Sequence, residues 1–110
     1  MAFDAGLVER ITGLLEEAGA RGALQRSFFG GRGFQLGRSI FAVAWRDGLL
    51  VKCAPMEYDD ALAQPHVLPF TPDGTKAMST WVAVDAVGLA DDPELRAWLQ
   101  RGVRGVRGRA

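Results

Sequence analysis

The chain has 110 residues, 48% of them hydrophobic and 24% charged, with 13 basic side chains against 13 acidic ones. That balance describes one globular domain and excludes disordered, fibrous and disulfide-stapled classes, since the single cysteine, Cys53, cannot cross-link the chain to itself. No apolar run approaches the ~20 residues that span a bilayer, and Met1-Ala2-Phe3-Asp4 opens no secretory signal, so a cytoplasmic single domain over residues 1–110 is expected.

Residues 3–18 set Phe3, Leu7, Val8, Ile11, Leu14, Leu15 and Ala18 in one helical stripe, with Glu9, Thr12, Gly13 and Glu16 opposite. Asp4 is suited to cap this helix and Gly19 to stop it. From Ala23 to Cys53 the period shortens to that of strands. Gly30-Gly31-Arg32-Gly33 leads into one run, Gly37-Arg38 forms a two-residue turn with glycine first, and Asp47-Gly48 reads as a type I′ hairpin turn. Three or four antiparallel strands in a meander are expected. A loop at Asp47-Gly48 pairs Trp45 with Leu50 and sets Lys52 on the face of Phe41, Val43 and Trp45, at its rim or beneath cover.

Residues 55–63 begin with proline and carry early acids, the pattern of a short helix. Pro65, Pro69 and Pro72 then imply an extended loop, because the ring fixes φ and removes a donor. Residues 80–85 read as a last strand. Asp91-Asp92-Pro93-Glu94 starts a helix that places Leu95, Trp98, Leu99, Gly102, Val103 and Val106 on one face. Its end is expected to fray at Gly102, Gly105 and Gly108. Grouped strands with flanking helices indicate α+β architecture: an antiparallel sheet of about five strands, packed by helices in two layers.

The chemical inventory is thin. Gly30-Gly31-Arg32-Gly33 runs into a strand and lacks the Lys-Ser/Thr and helix of a phosphate loop, so the glycines read as a bend or bulge. One Cys and one His cannot build a structural zinc site. His66 and Cys53 have no sequence-visible partners for nucleophilic catalysis, and Asp59-Asp60 and Asp91-Asp92 sit where helix starts need acids. Trp45, Trp81 and Trp98 fall in apolar periodic runs and read as core. No catalytic residue, metal or cofactor is expected. Charge is uneven: residues 1–95 carry eight basic and thirteen acidic side chains, and the last 15 carry five arginines, Arg96, Arg101, Arg104, Arg107 and Arg109. These are candidate interaction residues, or the soluble face of a terminal helix.

Phe28-Phe29-Gly30-Gly31, Phe34, the hairpin from Phe41 to Val51, Pro65-His66, Trp81-Val82-Ala83-Val84 and Leu89-Ala90-Asp91-Asp92 together resemble the TfoX N-terminal domain of the TfoX/Sxy family, over roughly residues 4–105. The likeness is to its short stand-alone members. It implies an α+β sandwich similar to the secretion-chaperone-like fold, with no catalytic residues and no cofactor. In it, Phe29, Gly30, Gly31, Pro65, His66 and Trp81 stand as structural motif residues. Full-length relatives regulate competence genes together with a transcription activator. This chain has Phe28 where members carry Met, Gly37-Arg38 where they carry Asn-Gly, and Ala77-Met78-Ser79-Thr80 where they carry a Pro-Met-Lys-Gly-like segment.

Three functions follow as expectations. The first is a non-enzymatic regulatory or protein-interaction domain, with a homodimer as one form and no membrane contact. The second is a small-molecule-binding domain or enzyme with a pocket near Arg32, His66 and Lys76. The third, disfavoured but left open, is a nucleic-acid accessory using the arginine-rich C-terminal helix.

Overall fold

A computed structural model describes residues 3–28, 30–72 and 74–107. Helix α1 (Ala5–Leu14) begins where Asp4 accepts the Gly6 and Leu7 backbone N–H groups and buries Leu7, Ile11 and Leu14. Regular helix stops at Leu14, earlier than the periodicity suggested, and the chain turns on to Gly19. There the Ala20 N–H reaches Leu15 O and the Gly19 N–H reaches Glu16 O, with Gly19 at φ +83°. This pair of bonds is a Schellman stop, which needs the left-handed residue that glycine supplies.

Strands β1 (Leu24–Phe28), β2 (Gly31–Leu36), β3 (Ser39–Trp45) and β4 (Gly48–Lys52) form the expected meander. The short helix α2 (Tyr58–Leu62) follows a 3₁₀ turn at Pro55–Glu57, and β5 (Val67–Pro69) and β6 (Trp81–Val84) complete one antiparallel sheet in the order β1-β2-β3-β4-β6-β5. The architecture is α+β, with six strands instead of about five. The added strand, β5, lies in the proline-rich stretch read as loop. It is an edge strand of three residues ending at Pro69, a place where a missing N–H costs no ladder bond.

The β3–β4 turn differs from the Asp47-Gly48 expectation. Trp45 pairs with Gly48 and Val43 with Leu50, so the turn residues are Arg46 and Asp47, and the positive φ falls on Arg46 at 56°. Gly48 belongs to β4 for a different reason: a Cβ there would lie 2.4 Å from Val84 O on β6. The Gly37-Arg38 turn is as expected, with Leu36 paired to Ser39 and Gly37 at φ +59°.

Between β2 and β3 the register slips, Phe34 pairing with Ala42 and Gln35 with Ile40, which leaves Phe41 as the extra residue of a bulge. The bulge sends Phe41 and Ala42 to one face while Ile40, Val43 and Trp45 take the other. Phe34, Phe41, Leu49, Val51, Val82 and Val84 face the helices. Helix α3 (Asp92–Arg107) covers them with Leu95, Trp98, Leu99 and Val103, and α1 packs beside it. Gly102 and Gly105 make this contact close, since a Cβ would meet Phe41 O at 2.6 Å and Lys52 O at 2.3 Å. The expectation that these glycines loosen the helix is therefore corrected: α3 runs through both to Arg107, and both are buried.

Candidate functional site

Among the described residues, the face of the sheet away from the helices has no second layer of secondary structure. Val43, Leu50, Phe70 and Trp81 are buried there, with Phe28, Ile40, Trp45, Met78 and Ala83 partly covered around them. Cover comes from the chain between β5 and β6, tied by the Phe70 N–H to Trp81 O and the Met78 N–H to Phe70 O. Lys52 ends this face opposite Trp81, and its Nζ donates to Thr80 Oγ1 at 2.6 Å. Both readings of Lys52 hold: it sits at the rim of a face that is partly covered. Strand alternation puts Leu24 on the side of Phe28, and pairing through Ala83 puts Leu68 on the side of Leu50. Leu68 is 70% exposed, so the apolar surface extends uncovered to the β5 edge, whereas Leu24, 63% exposed at the β1 edge, is set off from it by Arg26 and Gln35, whose side chains hydrogen-bond to each other.

Near β5 this face deepens into a cleft of about 460 Å³ walled by Leu50, Leu68, Ala83 and Val84, with Arg46, Asp47, His66 and Asp85 as its polar groups. The Arg46 guanidinium carbon lies 4.2 Å from the centre of the Trp45 ring, and Phe70 meets the same ring edge-on at 5.3 Å. His66 has φ +67°, its carbonyl accepts the Asp85 N–H, and its Nδ1 lies 3.4 Å from Asp85 Oδ2. Asp85 Oδ1 in turn accepts the N–H groups of Val87 and Gly88. His66 also lines a neighbouring cleft of about 200 Å³ with Trp98 and Arg101. Neither cleft includes Arg32 or Lys76. Arg32 lies over the Phe3 ring at 5.5 Å, and Lys76 is exposed in the β5–β6 connection, so the structure does not gather Arg32, His66 and Lys76 into one pocket.

The arginines of α3 meet acids from other elements. Arg104 forms a two-bond fork with Glu57, both at 2.8 Å, and Arg101 reaches Glu57 Oε1 at 3.3 Å and Asp60 Oδ2 at 3.2 Å. Arg96 pairs with Glu17 at 3.0 Å. Arg107 is exposed, and Arg109 lies outside the described residues. Asp60 and Asp92, read as cap acids, are also ion partners, the latter of Arg10 on α1. Three of the five arginines at the basic end are thus matched by the chain's own acids.

The Glu57 carboxyl is held below its usual range by the hydrogen bond from Arg104, aided by the charges of Arg104 and Arg101 and opposed by partial burial. A depressed carboxyl stabilises the fold above its unfolded pKa, and that contribution disappears as pH falls through the folded pKa. The melting temperature of Glu57→Gln should therefore fall below the parent's near neutrality and converge with it in acid. A gap that stays constant from neutral to acid pH would contradict the ion-pair account.

Among the motif residues, Gly31 is buried where a Cβ would lie 2.3 Å from Ala44 O, and Gly30 turns the chain at φ +78°. Trp81 is buried and stacks on Phe28 at 6.4 Å, Pro65 and His66 are exposed, and Phe29 lies outside the described residues. Cys53 is fully buried, and loss of water pushes its thiol up to about 11, which leaves it a poor nucleophile. Among the described residues no three His, Cys, Asp or Glu side chains gather as metal ligands, and no helix is long and apolar enough to cross a membrane.

An antiparallel sheet with helices on one face and an apolar surface on the other defines a class of small α+β domains. The family model of the TfoX N-terminal domain matches residues 16–106, and the chain belongs to that family. No match was found among curated proteins or solved structures.

Proposed function

We propose that this chain is a non-catalytic regulatory module that works by binding a protein partner in the cytoplasm, in the manner of the N-terminal domain of competence regulators. The observation that carries the reading is the open sheet face. Leu68 stands largely exposed at its β5 edge and Phe28, Ile40 and Trp45 are only partly covered, while Leu24 stands exposed at the β1 edge beyond the polar pair Arg26 and Gln35. Contiguous apolar surface rimmed by polar groups is characteristic of protein-binding sites. The family membership and the burial of the one cysteine agree with a contact role.

The test is capture from a host lysate by the parent chain and by the double variant Leu24→Lys/Leu68→Lys, with light scattering to read self-association. Both positions are exposed, so the variant should melt with the parent. The parent should retain a specific protein, or a second copy of itself, that the variant loses. Retention of the same proteins by both chains would refute the reading.

A further inference from the structure

We propose that the cleft between the β3–β4 turn and β5 binds a small organic acid with an apolar body, anchored through its carboxylate by Arg46. Its volume of about 460 Å³ and its apolar walls at Leu50, Leu68 and Ala83 suit a ligand of one ring or one branched chain.

The polar groups of the cleft differ in what they have left to offer. Asp85 accepts from two backbone N–H groups and faces His66 Nδ1, so its charge is answered within the fold. With Nδ1 facing Asp85, Nε2 is the imidazole nitrogen left to meet a hydroxyl on the ligand. Asp47 is shared with a neighbouring depression that holds Arg10 and Asp4. Arg46 contrasts with Arg10, Arg96, Arg101 and Arg104, each of which has a carboxylate within 4.0 Å. Among the described residues, Arg46 has no such partner. Its guanidinium carbon lies 4.2 Å from the centre of the Trp45 ring, and a guanidinium carries a fork of N–H donors matched to a carboxylate.

The backbone adds an independent observation. Arg46 at φ 56° and His66 at φ 67° are two of the three non-glycine residues with positive φ among those described, and both line this cleft. Side chains held on left-handed backbone cluster at ligand sites, where the strain fixes their direction. The cleft shares Leu68 with the face assigned to a protein partner, but the proposal is carried by Arg46 and survives if the partner docks elsewhere.

The experiment follows the Trp45 indole N–H and the Ala83 amide by nuclear magnetic resonance in isotope-labelled protein. Phenylacetate and isovalerate are titrated to about 20 mM, beside benzyl alcohol as a neutral control and an acetylated tetrapeptide ending in phenylalanine. At least one of the two acids should shift both signals saturably, and benzyl alcohol should bind about tenfold more weakly or worse. Arg46→Gly should weaken acid binding by about tenfold or more while melting no lower than the parent, because glycine takes φ +56° freely. Absence of saturable shifts with both acids, equal binding of the alcohol, or unchanged affinity in Arg46→Gly would overturn the proposal. Binding of the peptide but of neither acid would also overturn it, assigning the cleft to a protein C-terminus instead.

Discussion

Alanine at Gly105 is expected to destabilise the fold by about 1–3 kcal/mol, although alanine is the better helix former by about 1 kcal/mol. The added Cβ would lie 2.3 Å from Lys52 O, 2.8 Å from Lys52 C and 3.1 Å from Cys53 C, all backbone atoms of the sheet end that cannot swing aside. Helix α3 must lift from β4, and its lift is shared by Gly102, three residues back and also tight, with a built Cβ 2.6 Å from Phe41 O. Gly13 supplies the internal control. It lies in α1 with nothing within 4 Å of a built Cβ, so Gly13→Ala should stabilise by roughly 0.5–1 kcal/mol. Urea denaturation of the two variants separates packing from propensity. If Gly105→Ala matched Gly13→Ala in sign, α3 would not seat on the sheet as described.

Truncating Trp98 to alanine is expected to cost about 3–5 kcal/mol, the range for a large aromatic removed from a core. Trp98 is 8% exposed and belongs to the helix-side core, and its ring also supports Arg101, whose guanidinium carbon lies 5.1 Å from the ring centre. Arg101 bridges Glu57 and Asp60, so the substitution leaves a cavity and unseats the link between α3 and the α2 segment. Neutralising the exposed Arg107 should change stability by no more than ~1 kcal/mol. A parent-like denaturation midpoint for Trp98→Ala would refute the packing of α3.

Features that depend on near neighbours were legible from the residues. The cap at Asp4, the stop at Gly19, the Gly37-Arg38 turn and the apolar stripe of α3 each follow from a few adjacent side chains. Features that depend on distant chain segments were not. Gly48, Gly102 and Gly105 look like turn or breaker residues until the opposing carbonyls of Val84, Phe41 and Lys52 are in place. β5 was hidden because Pro69 argues against a strand unless the strand is known to lie at an edge. The bulge at Phe41 shows only as a shift between two paired strands, and it decides which aromatic enters the helix-side core.

The candidate site was less legible still. Trp45 was readable as an apolar strand residue and Leu68 only as part of a loop, so their place on one uncovered face, which runs through Leu50 and Ala83, was not legible. His66 was singled out as the lone imidazole, while Asp85, its partner 19 positions away, carried no local signal. The charge asymmetry was visible in full, but not the acids that meet it. Glu57, Asp60 and Glu17 stand 44, 41 and 79 residues from the arginines they meet, and no spacing rule connects them.

Hydrogen exchange of the chain, alone and with its captured partner, tests the placement of function on the open face most directly. The account predicts that protection gained on binding concentrates in β1, in β3 from Ile40 to Trp45 and in β5, with the amides of α3 unchanged. Protection confined to α3 around Arg96, Gln100 and Arg107, with the sheet unaffected, would contradict it.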